Sequence, residues 1–206
     1  MTRRNLPFVF ALGLLLAVTV CGARAQPASG ESETPADVVS MLHKGLVAAA
    51  AGGESTSLGE RYSRLSPVVQ RAHDLQYIAR VTIRRQWDAL TADERQRFLA
   101  AFERLSVMTY ASRFASVSAD TFALFESEDA GSGRVLVHAA IVRSSGGDIP
   151  LDYLLQNSDR GWRIINILAD QVSDLALKRA EYQRILSAGS IDDLIAEIEA
   201  QTERLE

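Results

Sequence analysis

The chain holds one cysteine in 206 residues, Cys21. It lies in an N-terminal segment with the pattern of a secretory leader. Arg3 and Arg4 supply the charge, Leu6–Val20 the apolar run, and Ala23-Arg24-Ala25 the small-x-small cleavage pattern, which places the cut before Gln26. Crossing about 30 Å of hydrocarbon takes roughly 20 apolar residues, so the short run predicts a cleaved leader and not an anchor. Val20 precedes Cys21 where a lipid-modified cysteine wants a small residue, so Cys21 is expected to leave with the leader. The mature chain, about 181 residues, then has no cysteine. Disulfides and thiol chemistry are excluded, and stability must come from packing, for which one domain of this length has an ample core.

Basic charge is also scarce. Removing Arg3, Arg4 and Arg24 takes 22 basic residues to 19 against 26 acids, a mature net charge of about −7. That argues against nucleic acid, and against docking on anionic membranes through a general basic field. Catalytic motifs are missing: no G-x-S-x-G, phosphate loop, H-E-x-x-H or C-x-x-C occurs. His43, His73 and His138 fall on a predicted helix, loop and strand without ligand spacing, so they read as structural, and no metal is expected.

What is present is a run of helices, a run of strands and two more helices. Residues 1–25 form the leader, 26–34 a small, polar, disordered tail, and 35–206 a single domain. Thr34-Pro35-Ala36-Asp37 opens a helix with apolar positions Val38, Val39, Leu42, Leu46 and Val47, ended by Gly52-Gly53. Residues 58–81 read as short helices punctuated by Pro67 and Asp74. Thr91 and Glu94 form a capping box that starts the longest helix, about Ala92 to Ala115. Strands are predicted at Thr121–Glu126, Arg134–Arg143, Ile149–Gln156 and Trp162–Ala169. The short Gly-containing links between them make hairpins, hence an antiparallel meander in an α+β fold. Gly189 ends the next helix, and Ser190 with Asp193 caps the last, whose stripe is Ile191, Leu194, Ile195 and Ile198.

The long helix carries apolar side chains on two sides. Phe98, Ala101, Phe102, Leu105 and Met108 form one stripe; Val107, Tyr110 and Phe114 lie near the opposite side at about 100° per residue. Its C-terminal half therefore needs cover twice over, from a solid core or from an apolar cavity. Ligand sites are concave and mostly apolar, but sequence does not separate a filled core from a hollow one. Arg84-Arg85 beside Trp87 reads as a solvated turn, with docking the alternative.

Two blocks carry a resemblance. The stretch GWRIINILADQVSDLALKRAEYQRIL (Gly161–Leu186) has a Gly-Trp opening a strand, an Ile-rich run, Val172-Ser173, and a helix with Arg179, Tyr182, Ile185 and Leu186. About 50 residues earlier, TADERQRFLAAFERLSVMTYASRF (Thr91–Phe114) follows Trp87 with Phe98, Phe102 and Thr109-Tyr110-Ala111. Together they resemble the MlaC/toluene-tolerance family of periplasmic lipid carriers, over roughly residues 36–203. The run Ser173, Asp174, Leu175, Ala176, Arg179, Glu181 is most similar to its hopanoid-associated HpnM branch. The chain departs from the family at Ile83-Arg84-Arg85 (usually Leu-Gly before the Trp), at Asn166 (usually Asp) and at Gln171 (usually Gly).

The resemblance implies a curved sheet wrapped by helices around a deep apolar pocket, an NTF2/cystatin-like cone. It implies a carrier that takes a hopanoid or phospholipid between inner and outer membranes, docking with an inner-membrane ABC transporter, an MCE-type component or another lipid-transport membrane protein. Bound lipid is the ligand, and no other cofactor is expected. A carrier has a physical reason: each exposed methylene costs about 0.8 kcal/mol, so about 30 of them make a barrier on the order of 20 kcal/mol to free diffusion. The residues expected to line the pocket are Phe102, Leu105, Tyr110, Phe114, Val137, Ile141, Leu151 and Tyr153. Two other readings compete: a solid scaffolding subunit of a membrane complex, and an isomerase-like enzyme using Tyr110, Asp152 and Tyr153.

Overall fold

A computed structural model describes residues 33–206. The predicted leader, its cleavage point and residues 26–32 of the predicted tail lie outside the described residues. Glu33 pairs with Arg71 at 3.0 Å, and Thr34 caps the first helix, so the last two residues of that tail are held by the domain.

The helices start where local chemistry lets them start. Helix α1 (Pro35–Ala50), α2 (Leu58–Ala72), α5 (Ala92–Arg113) and α7 (Ile191–Glu203) each open on a reciprocal capping box, formed by Thr34/Asp37, Ser57/Glu60, Thr91/Glu94 and Ser190/Asp193. Each box satisfies backbone N–H groups that the first turn leaves orphaned. Asp74 caps α3 (Leu75–Thr82), a short α4 (Arg84–Trp87) follows, and Ser173 caps α6 (Asp174–Ala188). Arg84 and Arg85 stand exposed on α4, and the Arg95 guanidinium lies 5.4 Å from the Trp87 ring centre. Among the described residues no helix is long and apolar enough to cross a membrane.

One expectation fails at Pro67. Helix α2 runs through it unbroken. Pro67 is exposed while Leu65, Val69 and Ala72 are buried, so burial of the opposite face outweighs the lost hydrogen bond. Contact between α1 and α2 is close at Gly45, where a Cβ would come within 2.5 Å of Val68 Cγ1.

The strands are β1 (Phe122–Gly131), β2 (Arg134–Ile141), β3 (Ile149–Ser158), β4 (Gly161–Ala169) and a two-residue β5 (Val172–Ser173). They form one antiparallel sheet in sequence order, so the α+β meander stands, with β5 added and β1 running on to the Gly131–Gly133 turn. In β4 the register slips: Leu154 pairs with Asn166 but Leu155 with Ile164, leaving Ile165 as the extra residue of a bulge.

The core has two parts. One packs α1 and α2 on the sheet, with Val107 and Ala111 of α5. The other joins Phe98, Ala101, Phe102 and Leu105 of α5 to α3, α6 and α7. The two-sided apolar helix is thus the shared wall of both.

Candidate functional site

Between the halves the packing does not close. A cavity of about 370 Å³ lies against α5, bounded by α3, by the start of α6 and by the sheet from β2 to β4. Its walls are mainly apolar: Leu75 and Ile78 from α3, Phe102 from α5, Phe114 just beyond it, Ile141, Leu151, Ile164, Ile165 and Ile167 from the sheet. The bulge in β4 breaks strict alternation, so Ile164 and Ile165 both contribute. Arg113, Asn166, Asp174 and Lys178 supply polar groups.

Two tyrosine–histidine pairs adjoin the cavity, with His73, Tyr110 and Tyr153 on its wall. Tyr110 Oη lies 3.0 Å from His73 Nε2, and His73 Nδ1 lies 3.1 Å from the Val69 carbonyl. That carbonyl can only accept, so Nδ1 carries the proton and Nε2 accepts from the tyrosine. Tyr153 Oη lies 2.9 Å from His43 Nε2. Burial pushes each histidine down to about 4 and both tyrosines well above their ordinary range. All four are therefore neutral at pH 7, which lets them sit beside an apolar space. Aromatic contacts link the pairs: Tyr110 to Phe114 (5.8 Å), Phe114 to Phe122 (5.7 Å), Phe122 to His43 (4.2 Å) and His43 to Tyr153 (5.4 Å).

Of the eight residues expected at a pocket, Phe102, Tyr110, Phe114, Ile141, Leu151 and Tyr153 lie on the cavity wall. Two do not. Leu105 is packed within the core that α5 makes with α3, α6 and α7, beside Phe98 and Tyr182. Val137 is fully buried in the core that α1 and α2 make with the sheet. The walls from α3, β4 and α6 were missed. Strict alternation puts Ile164 and Ile167 on opposite faces, and only the bulge at Ile165 turns both inward; Leu75, Ile78 and Lys178 gave no signal, because only the helix docking brings them in. Two of the three histidines read as structural, His73 and His43, bond tyrosines, but those partners, 37 and 110 positions away, are invisible in sequence.

The competing enzyme triplet does not converge. Tyr110 and Tyr153 face the cavity, whereas Asp152 lies on the other face of β3, where it holds His138 Nδ1 at 2.8 Å. That bond raises the His138 pKa, as the carboxylate stabilises the imidazolium. Asn166 ties the start of α6 to β4, since its Oδ1 accepts from Leu175 N–H at 3.2 Å and from Ser173 Oγ at 3.1 Å.

An α+β domain with an apolar, polar-edged cavity and neutral buried pairs beside it has the concave, mostly apolar form of a small-molecule site. A family model described as MlaC protein matches residues 44–200. The chain belongs to the MlaC family. The structure of a phospholipid-binding protein from Ralstonia solanacearum, in complex with a phospholipid, superposes with a TM-score of 0.72 at 18% identity, covering 85% of this chain and 99% of that one. At that identity the likeness establishes the shared fold. Among curated proteins, none matches in sequence.

Proposed function

We propose that this protein is a periplasmic lipid carrier that holds the hydrocarbon part of a hopanoid or phospholipid in the cavity beneath α5. The observation that carries this is the cavity itself, about 370 Å³ with a mainly apolar lining, in the size range of small-molecule sites. Close packing would have removed it. Membership of the MlaC family and the phospholipid complex of the Ralstonia solanacearum relative support the reading. The Ser173–Glu181 run supports a place in the hopanoid-associated branch.

In this role the protein shields the chains between two membranes and gives them up while docked to a lipid-transport membrane protein in an ABC-transporter-linked pathway. The lack of convergence among Tyr110, Asp152 and Tyr153 supports carriage over conversion. The test is lipid transfer from donor to acceptor vesicles bearing fluorescent phospholipid. Transfer should rise in proportion to protein concentration, with cargo chemically unchanged. No acceleration, or recovery of a converted lipid, contradicts the proposal.

A further inference from the structure

Basic charge, scarce in the chain as a whole, gathers at one end of the sheet. Gln156 of β3 pairs in register with Arg134 of β2 on one side and with Arg163 of β4 on the other, so the three form one row on one face. Ile164, the next residue of β4, lines the cavity, and alternation turns Arg163 the other way. Arg134 Nε donates to Gln156 Oε1 at 3.3 Å and its Nη2 to Tyr77 Oη at 3.4 Å. The junction of α2 and α3 lies along the same end of β4. Asp74 N–H donates to the Ile164 carbonyl at 3.0 Å, and the Asp74 carboxylate holds Arg160 at 3.1 Å. Arg71, three residues earlier, is held by Glu33.

Arg163 stands apart among these groups. It is 8% exposed, its Nε is buried without a partner, and its Nη1 donates to the Trp162 carbonyl at 2.7 Å. Burial, Arg71 and Arg160 hold its pKa below the ordinary arginine value, while Glu33 and Asp74 act the other way. Arginine keeps its proton in proteins, so a nearly buried cation is left without a carboxylate among the described residues. Water can satisfy an N–H but does not balance the charge. Arg71 and Arg160 each hold a carboxylate already, which leaves Arg134 and Arg163 unneutralised, two strand spacings or about 10 Å apart along the row. A single phosphate covers only part of that span, and a flat bilayer surface does not reach a guanidinium as recessed as Arg163. A chain carrying several carboxylates does both.

We propose that this end of the sheet docks an acidic segment of a partner protein, with one carboxylate paired to Arg163 and others to Arg134 and its neighbours Arg71 and Arg160. Guanidinium forks meet carboxylates through two parallel bonds, and clusters of them are a recurring mode of acidic-motif recognition. Glu33 and Asp74 are the groups the segment competes with at the edge of the cluster. The inference goes beyond the carrier reading and does not depend on what the cavity holds.

The test measures fluorescence anisotropy of a labelled peptide of alternating glutamate and glycine, about ten residues long and so able to span the row, against the purified protein at low salt. The wild type should bind it and should not bind the same peptide with glutamine for glutamate. Arg163→Gln should weaken binding at least about tenfold, as loss of a recessed charge pair does. Its urea midpoint should hold or rise, since an unbalanced buried charge is removed. Arg71→Gln with Arg134→Gln should weaken binding about fivefold without touching the buried group, which keeps the test decisive should Arg163→Gln fail to fold. No binding by the wild type, equal binding of the glutamine peptide, or binding that both sets of variants leave intact overturns the proposal. So does displacement of the peptide by millimolar inorganic phosphate, which would make this a small-anion site. Co-sedimentation with phosphatidylglycerol vesicles that Arg163→Gln abolishes would make it a membrane surface and overturn it likewise. Lipid recovered from Arg163→Gln should match the wild type, so loss of the carrier reading and loss of this surface show in different measurements.

Discussion

Gln171 stands at φ 65° and Asp170 at φ 49°, in the turn joining β4 to β5. Left-handed backbone costs a side-chain-bearing residue roughly 1–2 kcal/mol, and glycine escapes it. Gln171→Gly should therefore stabilise the fold by about 1 kcal/mol, read as a higher urea midpoint at unchanged slope; no gain would mean that the Gln171 side chain offsets the strain. This position was legible in advance only as a departure from a family pattern that has glycine before Val-Ser. The buried histidines give a pH prediction. Both titrate at about 4 when folded against 6.5 unfolded, so below pH 6.5 the unfolded chain binds more protons. Stability is whole above pH 6.5 and is lost as pH falls toward 4, by up to on the order of 3 kcal/mol per histidine. His138 works in the opposite sense, since its raised pKa favours the folded state as pH falls, but it is only half-buried and contributes little. Capping carboxylates such as Glu60 and Glu94 start from 4.5 and are lowered, so the window from pH 6.5 to 4.5 isolates the histidines. Urea melts across it should show the loss, and His43→Gln and His73→Gln should each flatten it. A flat wild-type profile would contradict neutral burial.

At the scale of elements, what local chemistry decides was readable and what docking decides was not. Four capping boxes mark helix starts through residues three apart, and the box at Thr91 with Glu94 was evident from their spacing. The two apolar sides of α5 implied cover on both, and two core regions meet there. But the spacing that put Leu105 and Phe102 on one stripe did not decide which of them reaches the cavity. That depends on where α6 and α7 settle, a long-range matter. The bulge at Ile165 has no local marker such as glycine. Pro67 misled because propensity is a weak prior: its penalty is real, yet the buried face of α2 overrides it. Pro67→Ala should thus recover part of about 3 kcal/mol, less about 1 for the freer unfolded chain, a net gain of about 2 kcal/mol by urea denaturation. Destabilisation instead would show that the ring makes packing contacts that its exposure conceals.

For the whole molecule the question is whether the space under α5 is a working site or an imperfect core, and added bulk separates the two. Val137, at zero exposure, lies in solid packing, where tryptophan must force strain of about 3 kcal/mol or more. Ile167 lies on the cavity wall, where the same addition meets open space. The measurement that bears most directly on the carrier is lipid recovered from purified protein by solvent extraction and mass spectrometry, wild type against Ile167→Trp, with thermal melts of the delipidated proteins alongside. A working site predicts lipid bound near one per wild-type molecule, several-fold less in Ile167→Trp, and nearly equal melting temperatures. No lipid on the wild type, together with a large drop in melting temperature for Ile167→Trp, would contradict it and make this region an ordinary core.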